Sequence, residues 1–232
     1  MTFNALSPVS RLKHKAIMWT ISGADCSGGA GIAADIKTGH SLNVEVCHLI
    51  TANTVQNSEQ LRAINPTTVD ILDAQAQALR FDKPPSVIKI GLIANSEQVI
   101  WLVTLLKALK QQLANVIVVY DPVGQASVGG NLSSLTPLTL RPLLALIDVI
   151  TPNLLEAKQL STLSSTNIKH NPLSLAEYIV TLGCKAVIIK GGHTKSSVSS
   201  ELAKHCPDLC LQSLNSTSSP ISIKTFELSS TR

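Results

Sequence analysis

Aromatic residues are scarce, at 3% of 232 residues. That scarcity excludes a base-stacking surface of the kind single-stranded nucleic acids require. It also means that a core must come from Leu, Ile, Val and Ala, which a 44% hydrophobic content supplies. Long apolar runs are missing too. None approaches the ~20 residues that cross a bilayer, and the nearest, 99–106, contains Thr104 and is followed by Lys107 and Lys110. No signal-peptide pattern stands at the N-terminus. Charge of one sign is not concentrated: 19 basic and 15 acidic residues are spread along the chain, and the tight basic group 11–15 has no aromatic neighbours. Neither nucleic acid nor a membrane is therefore expected as a partner. The five cysteines are odd in number and scattered, which reads as a reducing, cytoplasmic setting. His205, Cys206 and Cys210 lie close in sequence, but no second ligand pair completes a metal site.

What is present is an alternation. Short apolar runs at 17–21, 44–54, 87–90, 116–120, 148–150 and 186–189 read as strands. Between them, 32–42, 67–80, 96–113, 136–146, 154–160 and 173–182 read as helices. This pattern predicts an α/β fold whose mainly parallel sheet is covered on both faces. Residues 1–15 read as a flexible arm and 16–232 as one domain. The last forty residues are rich in Ser and Thr, with strands expected at 209–214 and 221–228 and no helix after them. Ligands of parallel sheets sit beyond the carboxyl ends of the strands. That rule selects five loops: 23–31, 54–57, 121–124, 151–156 and 190–193.

The densest signal is Gly23-Ala-Asp-Cys-Ser-Gly-Gly-Ala-Gly31-Ile-Ala-Ala-Asp35. Glycines between a strand and a helix allow backbone N–H groups to face a ligand. The run is not a Walker A loop, because Gly29 stands where Lys is needed. Gly29-Ala-Gly31-Ile-Ala-Ala34 matches a loose dinucleotide fingerprint, which keeps a dinucleotide-dependent oxidoreductase open as an alternative, although six residues separate it from the strand end. Glycines serving only a tight turn are the plainer alternative.

Four further segments stand in order after this run: Ile50-Thr-Ala-Asn-Thr-Val-Gln56-Asn57, Lys89-Ile-Gly-Leu92, Asp121-Pro-Val123 and Thr151-Pro-Asn153-Leu-Leu-Glu156, followed by Ile189-Lys190-Gly191-Gly-His193. Together, over about residues 16–194, they resemble the hydroxymethylpyrimidine/phosphomethylpyrimidine kinases of thiamin biosynthesis, within the ribokinase-like superfamily. The resemblance implies a three-layer αβα sandwich, use of ATP and Mg²⁺, and a homodimer. It implies that Gly23, Asp35, Gln56, Leu92 and Val123 receive the pyrimidine substrate, with Gln56 on its nitrogen edge, since an amide both donates and accepts. It further implies that Lys190, Gly191 and Asn153 meet the nucleotide and that Asp121 and Glu156 serve the metal. His193 either contacts phosphate or caps its loop. An Asn and a Glu at the start of a helix are also common for dipole reasons alone.

Two departures stand out. Gly124 follows Asp121-Pro-Val where the family has Met. No glycine follows Gly192, so the Gly-Thr-Gly-Cys loop that forms the family's anion hole is absent from this sequence, and no catalytic residue is assigned. Loss of such donors lowers turnover at least about a thousandfold. The expectation is thus a C-terminally incomplete ribokinase-like domain, a truncated part of a kinase. The alternatives are a catalytically dead pyrimidine-binding or regulatory homologue, and a pyridoxal kinase within the same superfamily.

Overall fold

The computed structural model describes residues 15–57, 59–124, 135–163 and 168–190 in full, together with the backbone of Asp208–Gln212 and Ser222–Phe226. The arm read at 1–15, except Lys15, and the tips at 191–193 and 205–206 lie outside the described residues.

The alternation read from the sequence is what the chain builds. Strand β1 (Ile17–Ala24) leads to helix α1 (Gly31–Ser41), then β2 (Glu45–Gln56), β3 (Leu61–Pro66) and α2 (Val69–Asp82). Next come β4 (Val87–Ile90), α3 (Ser96–Gln112), β5 (Ile117–Tyr120) and α4 (Pro137–Leu144). Then β6 (Val149–Ile150), α5 (Leu154–Ser161), α6 (Pro172–Thr181) and β7 (Ala186–Ile189) precede β8 (Asp208–Gln212) and β9 (Ser222–Phe226). The sheet order is β3-β2-β1-β4-β5-β6-β7-β8-β9. From β2 to β7 every pairing is parallel, while β3, β8 and β9 are joined antiparallel.

One strand was not anticipated. β3 returns from β2 as a hairpin, with Asn57 Oδ1 accepting from the N–H groups of Glu59 and Gln60 at 2.9 Å each. Its residues (Leu-Arg-Ala-Ile-Asn-Pro) are half-buried or exposed, so the strand lacks the continuous apolar run of its parallel neighbours. β2 in turn runs on to Gln56, past the expected end at Thr54.

The two faces of the sheet are not alike. Trp19, Ile21, Leu49, Ile88, Ile90, Val118, Ile150 and Val187 are wholly buried. Register places Trp19 beside Ile88 and Thr20 beside Lys89, so Thr20 and Lys89 share the opposite face. Right-handed crossovers put α1 on that second face and α2 through α6 on the first. From β4 to β7 the second-face residues Lys89, Val119, Val149 and Ile188 are half-buried. Helices lie on both faces, but unevenly: α1 is the single described helix on its side, and it packs on β1 and β2. Close approach there requires Gly39, where a Cβ would collide with Val46.

The scarcity of aromatics shows in the core, which is mostly Leu, Ile, Val and Ala, with Trp19, Trp101 and Tyr120 added. Helix starts follow local chemistry. Asn95, Thr136, Asn153 and Asn171 each cap a helix by accepting a backbone N–H, and Pro137 and Pro172 stand in first turns. Gln98 is a buried polar tie. Its Nε2 donates to the carbonyls of Thr51 (2.8 Å) and Thr67 (3.0 Å), and its Oε1 accepts from Ala94 N–H at 2.9 Å. It thereby ties the loop after β4 to strand β2 and to the loop after β3. Gln98→Leu strands three polar groups and is expected to cost at least about 3 kcal/mol, seen as a lower urea midpoint at unchanged slope. An unmoved midpoint contradicts that role.

Candidate active site

Parallel pairing puts the carboxyl ends of β1, β4, β5, β6 and β7 on one rim, and a cavity of about 770 Å³ opens there. Its lining draws on all five loops selected from the sequence. Gly23, Gln56, Leu92, Val123, Asp121, Asn153, Glu156 and Lys190 all face it. Gly191 and His193 lie outside the described residues.

The glycine-rich turn is organised from within. Asp25 Oδ1 accepts from Ser27 N–H and hydroxyl, at 2.9 and 2.8 Å. Its Oδ2 accepts from the N–H groups of Gly29 (3.1 Å) and Ala30 (3.0 Å). These donors, with a bond from Gln56, outweigh the desolvation of the carboxyl and hold it below its ordinary pKa. The N–H groups that a dinucleotide phosphate would need are thus already taken by an internal carboxylate. Gly28 and Gly31 have φ of 74° and 55°, and a Cβ at Gly31 would strike the Gly23 carbonyl. The loop is a turn with its own anion, which removes the physical basis of the oxidoreductase alternative.

One end of the cavity is shaped for a flat ring. Leu92 and Ala52 form a small apolar cluster with Leu61, Ile64, Ala94 and Val123. Leu92 is pinned at both ends of its peptide: its N–H donates to Ser22 Oγ (3.2 Å) and its carbonyl accepts from Thr51 Oγ1 (2.6 Å). A Cβ at Gly23 would come within 2.7 Å of Leu92 Cδ2, so this glycine keeps the wall open. Gln56 closes the side from β2, its carbonyl receiving the Cys26 thiol at 2.9 Å. Asp35, read as a pyrimidine contact, stands one layer behind. It is not in the cavity lining; its carboxylate accepts from Thr20 Oγ1 and pairs with Lys89 Nζ at 3.0 Å. Lys89 lines the cavity in its place.

The other end is ionic. Lys190 Nζ pairs with Asp121 Oδ1 at 2.6 Å, and Thr151 Oγ1 donates to the same oxygen at 3.0 Å. Asn153 and Glu156 form a reciprocal capping box: Glu156 N–H donates to Asn153 Oδ1 (2.9 Å) and Asn153 N–H to Glu156 Oε2 (2.8 Å). The plain helix-start reading of this pair therefore holds, and the same two side chains also face the cavity. Burial pushes the Glu156 carboxyl above its ordinary pKa against bonds from Asn153 and Gly124 and the pull of Lys190. A backbone bridge between Asn153 and Lys190 ties the two loops together. Among the described residues no three His, Cys, Asp or Glu side chains cluster as a metal cage.

A family profile described as phosphomethylpyrimidine kinase matches residues 25–215. The chain belongs to the phosphomethylpyrimidine kinase family. A hydroxymethylpyrimidine/phosphomethylpyrimidine kinase of Rhizobium meliloti is 33% identical over 189 residues, 81% of this chain and 69% of that one. The Bacillus subtilis kinase of the same name is 36% identical over 182 residues, covering 78% and 65%. A crystal structure of phosphomethylpyrimidine kinase from Clostridium difficile superposes with a TM-score of 0.72 at 30% identity, over 92% of this chain and 84% of that one. The pyridoxal kinase of Bacillus subtilis, solved as an ADP complex, also gives 0.72, at 26% identity over 92% and 74%. The resemblance read from the loop motifs is borne out, and with it a ribokinase-like kinase fold.

For this phosphomethylpyrimidine kinase family member, Asp25 and Lys89 are among the cavity residues that had no role in the sequence reading, as are Lys158 and Gln159. Lys89 did carry a signal: it is the one charge inside the apolar strand Val87-Ile-Lys-Ile90, and charges are rarely buried in strands without a task.

Glu156 gives a test of the ionic end. Its carboxyl pKa is raised on folding, so its stability contribution is full at low pH and is lost as pH rises through the folded value. Glu156→Gln keeps a cap acceptor without that loss. The variant is expected to gain stability relative to the parent as pH rises above the ordinary carboxyl value, read as a melting-temperature difference that grows with pH. A difference that shrinks with rising pH contradicts the burial argument.

Proposed function

We propose that this chain binds 4-amino-5-hydroxymethyl-2-methylpyrimidine and its monophosphate together with ATP and Mg²⁺, the reactants of two phosphorylations in thiamin synthesis, and that, with no Gly-Thr-Gly-Cys loop in its sequence, it turns them over at least about a thousandfold more slowly than a kinase that has one. One observation carries the reading: a single cavity joins an apolar, amide-edged wall to a lysine flanked by two carboxylates. The relatives' names point to the pyrimidine, and a pyridoxal kinase of Staphylococcus aureus that is 28% identical, with a TM-score of 0.68, was solved with AMP-PCP and pyridoxal.

In this reading the ring lies against Gly23, Leu92 and Val123, and the Gln56 amide accepts from the exocyclic amine while donating to a ring nitrogen. With Gly124 beside Val123 the wall has less apolar cover than a Met would give. Lys190 turns from Asp121 toward the nucleotide phosphates, supplying the positive charge that phosphoryl transfer requires. Asn153 and Gly191 flank the nucleotide. The oxygen donors of Asp121 and Glu156 suit Mg²⁺, which takes one or two carboxylates besides phosphate and water. When bound, the ion neutralises phosphate charge. The first substrate must lose an alcohol proton as its oxygen attacks phosphorus. The second presents a phosphate already ionised near neutral pH.

A cytoplasmic homodimer is the setting that the resemblance suggests. The three described cysteines are free, in keeping with a reducing compartment, and no described helix is long and apolar enough to cross a membrane.

Calorimetry with the pyrimidine, with ATP–Mg²⁺ and with pyridoxal, beside a phosphate-transfer assay, tests the reading. The pyrimidine is expected to bind more tightly than pyridoxal, and Gln56→Ala to weaken it by at least about thirtyfold, the worth of two lost hydrogen bonds. Equal binding by Gln56→Ala, or no heat with the pyrimidine, contradicts it.

A further inference from the structure

We infer that Lys89 is the residue that meets the substrate ring on the cavity floor, donating a charge-assisted hydrogen bond to a ring nitrogen, and that Asp35 is a positioning residue acting through it. The inference rests on the pyrimidine reading above.

The geometry is specific. A lysine ammonium has three N–H donors. Two of them address Asp35, whose Oδ1 and Oδ2 are both 3.0 Å from Nζ. Thr20 Oγ1 adds a further donor to the same carboxylate. Asp35 is thus fully engaged from behind, while the third ammonium N–H has no acceptor among the described residues and Lys89 borders the cavity. Both side chains are mostly enclosed, at 20% exposure for Lys89 and 15% for Asp35.

The placement follows from the fold. Thr20 and Lys89 are register partners on the α1 face of adjacent parallel strands, and Asp35 comes down on them from the first turns of α1. Gly91 completes the arrangement: a Cβ there would lie 3.2 Å from Lys89 Nζ and would collide with Ser22 Oγ. Its absence leaves room for the ammonium at the rim. The pair is neutral overall, so it places a directed donor beside the apolar wall without burying a net charge.

An aminopyrimidine offers one donor group, the exocyclic amine with its two N–H bonds, and two ring-nitrogen acceptors. The Gln56 amide satisfies the amine and the adjacent nitrogen. The remaining nitrogen needs a donor, and a fixed ammonium supplies one that is stronger than a neutral group. The site would then discriminate among heteroaromatic rings by that second acceptor.

The test is a double-mutant cycle in ligand affinity, using 4-amino-5-hydroxymethyl-2-methylpyrimidine and its two pyridine analogues, each with one ring nitrogen replaced by C–H. Lys89→Met is expected to weaken the pyrimidine by at least about tenfold, Asp35→Asn by less, and the double variant no more than Lys89→Met alone. The parent should reject one analogue that Lys89→Met accepts as readily as the pyrimidine, a change that a purely structural role does not produce. Thermal melts establish that each variant is folded. Where Lys89→Met alone is too unstable, the neutral Asp35→Asn/Lys89→Met variant is compared with Asp35→Asn, and the same loss of discrimination is expected. Additive losses, or analogue selectivity unchanged without Lys89, overturn the inference. If the parent binds the pyrimidine and loses it with Gln56→Ala while the Asp35 and Lys89 losses add, this inference alone falls. If the parent binds none of the three rings, the functional reading falls with it.

Discussion

Parallel pairing is the constraint on which the rest depends. Six strands from β2 to β7 run in one direction, so each delivers its carboxyl end, and whatever follows it, to the same rim. Residues as distant in sequence as Gly23, Asp121 and Lys190 become neighbours for that reason alone. The rim also fixes polarity. The ends of β1, β2 and β4 supply Gly23, the Gln56 amide, Leu92 and Lys89, whereas the loops after β5, β6 and β7 add Val123 to the wall and bring Asp121, Glu156 and Lys190. A ring at one end and a polyphosphate at the other is the division that a kinase of a small heterocycle requires.

Two lysine–aspartate pairs bracket the cavity, and they differ in a way that suits different tasks. Lys89 is held by both oxygens of Asp35, which in turn is held by Thr20; it is a fixed donor on the floor. Lys190 is more exposed, at 41%, and shares a single Asp121 oxygen with Thr151, so it is free to exchange that partner for phosphate. A rigid pair reads shape and hydrogen-bond pattern. A loosely held one answers an incoming anion.

Most of the fold was legible because its strands are apolar and short and its helices are punctuated by Asn, Thr and Pro caps. The loop sites were legible because strand ends carry the ligands of parallel sheets. What escaped has physical reasons. β3 is a polar, half-exposed edge strand without an apolar run. Asp25 lay inside the glycine-rich run, but the hydrogen bonds it accepts exist only once the turn has folded. Asp35 was placed in the right neighbourhood by motif, yet the register of Thr20 with Lys89 puts a second side chain between it and the cavity. The Asn153–Glu156 pair shows two readings holding together: it caps α5 and also lines the site.

The central claim is that one hollow holds both a pyrimidine ring and a nucleotide. A crystal structure of this chain soaked with 4-amino-5-hydroxymethyl-2-methylpyrimidine and a non-hydrolysable ATP analogue measures this directly. The account predicts ring density between Gly23, Leu92 and Val123 with its nitrogen edge on Gln56, and phosphate density beside Lys190. Density for the two ligands in separate depressions, or for the ring away from Gln56, contradicts it.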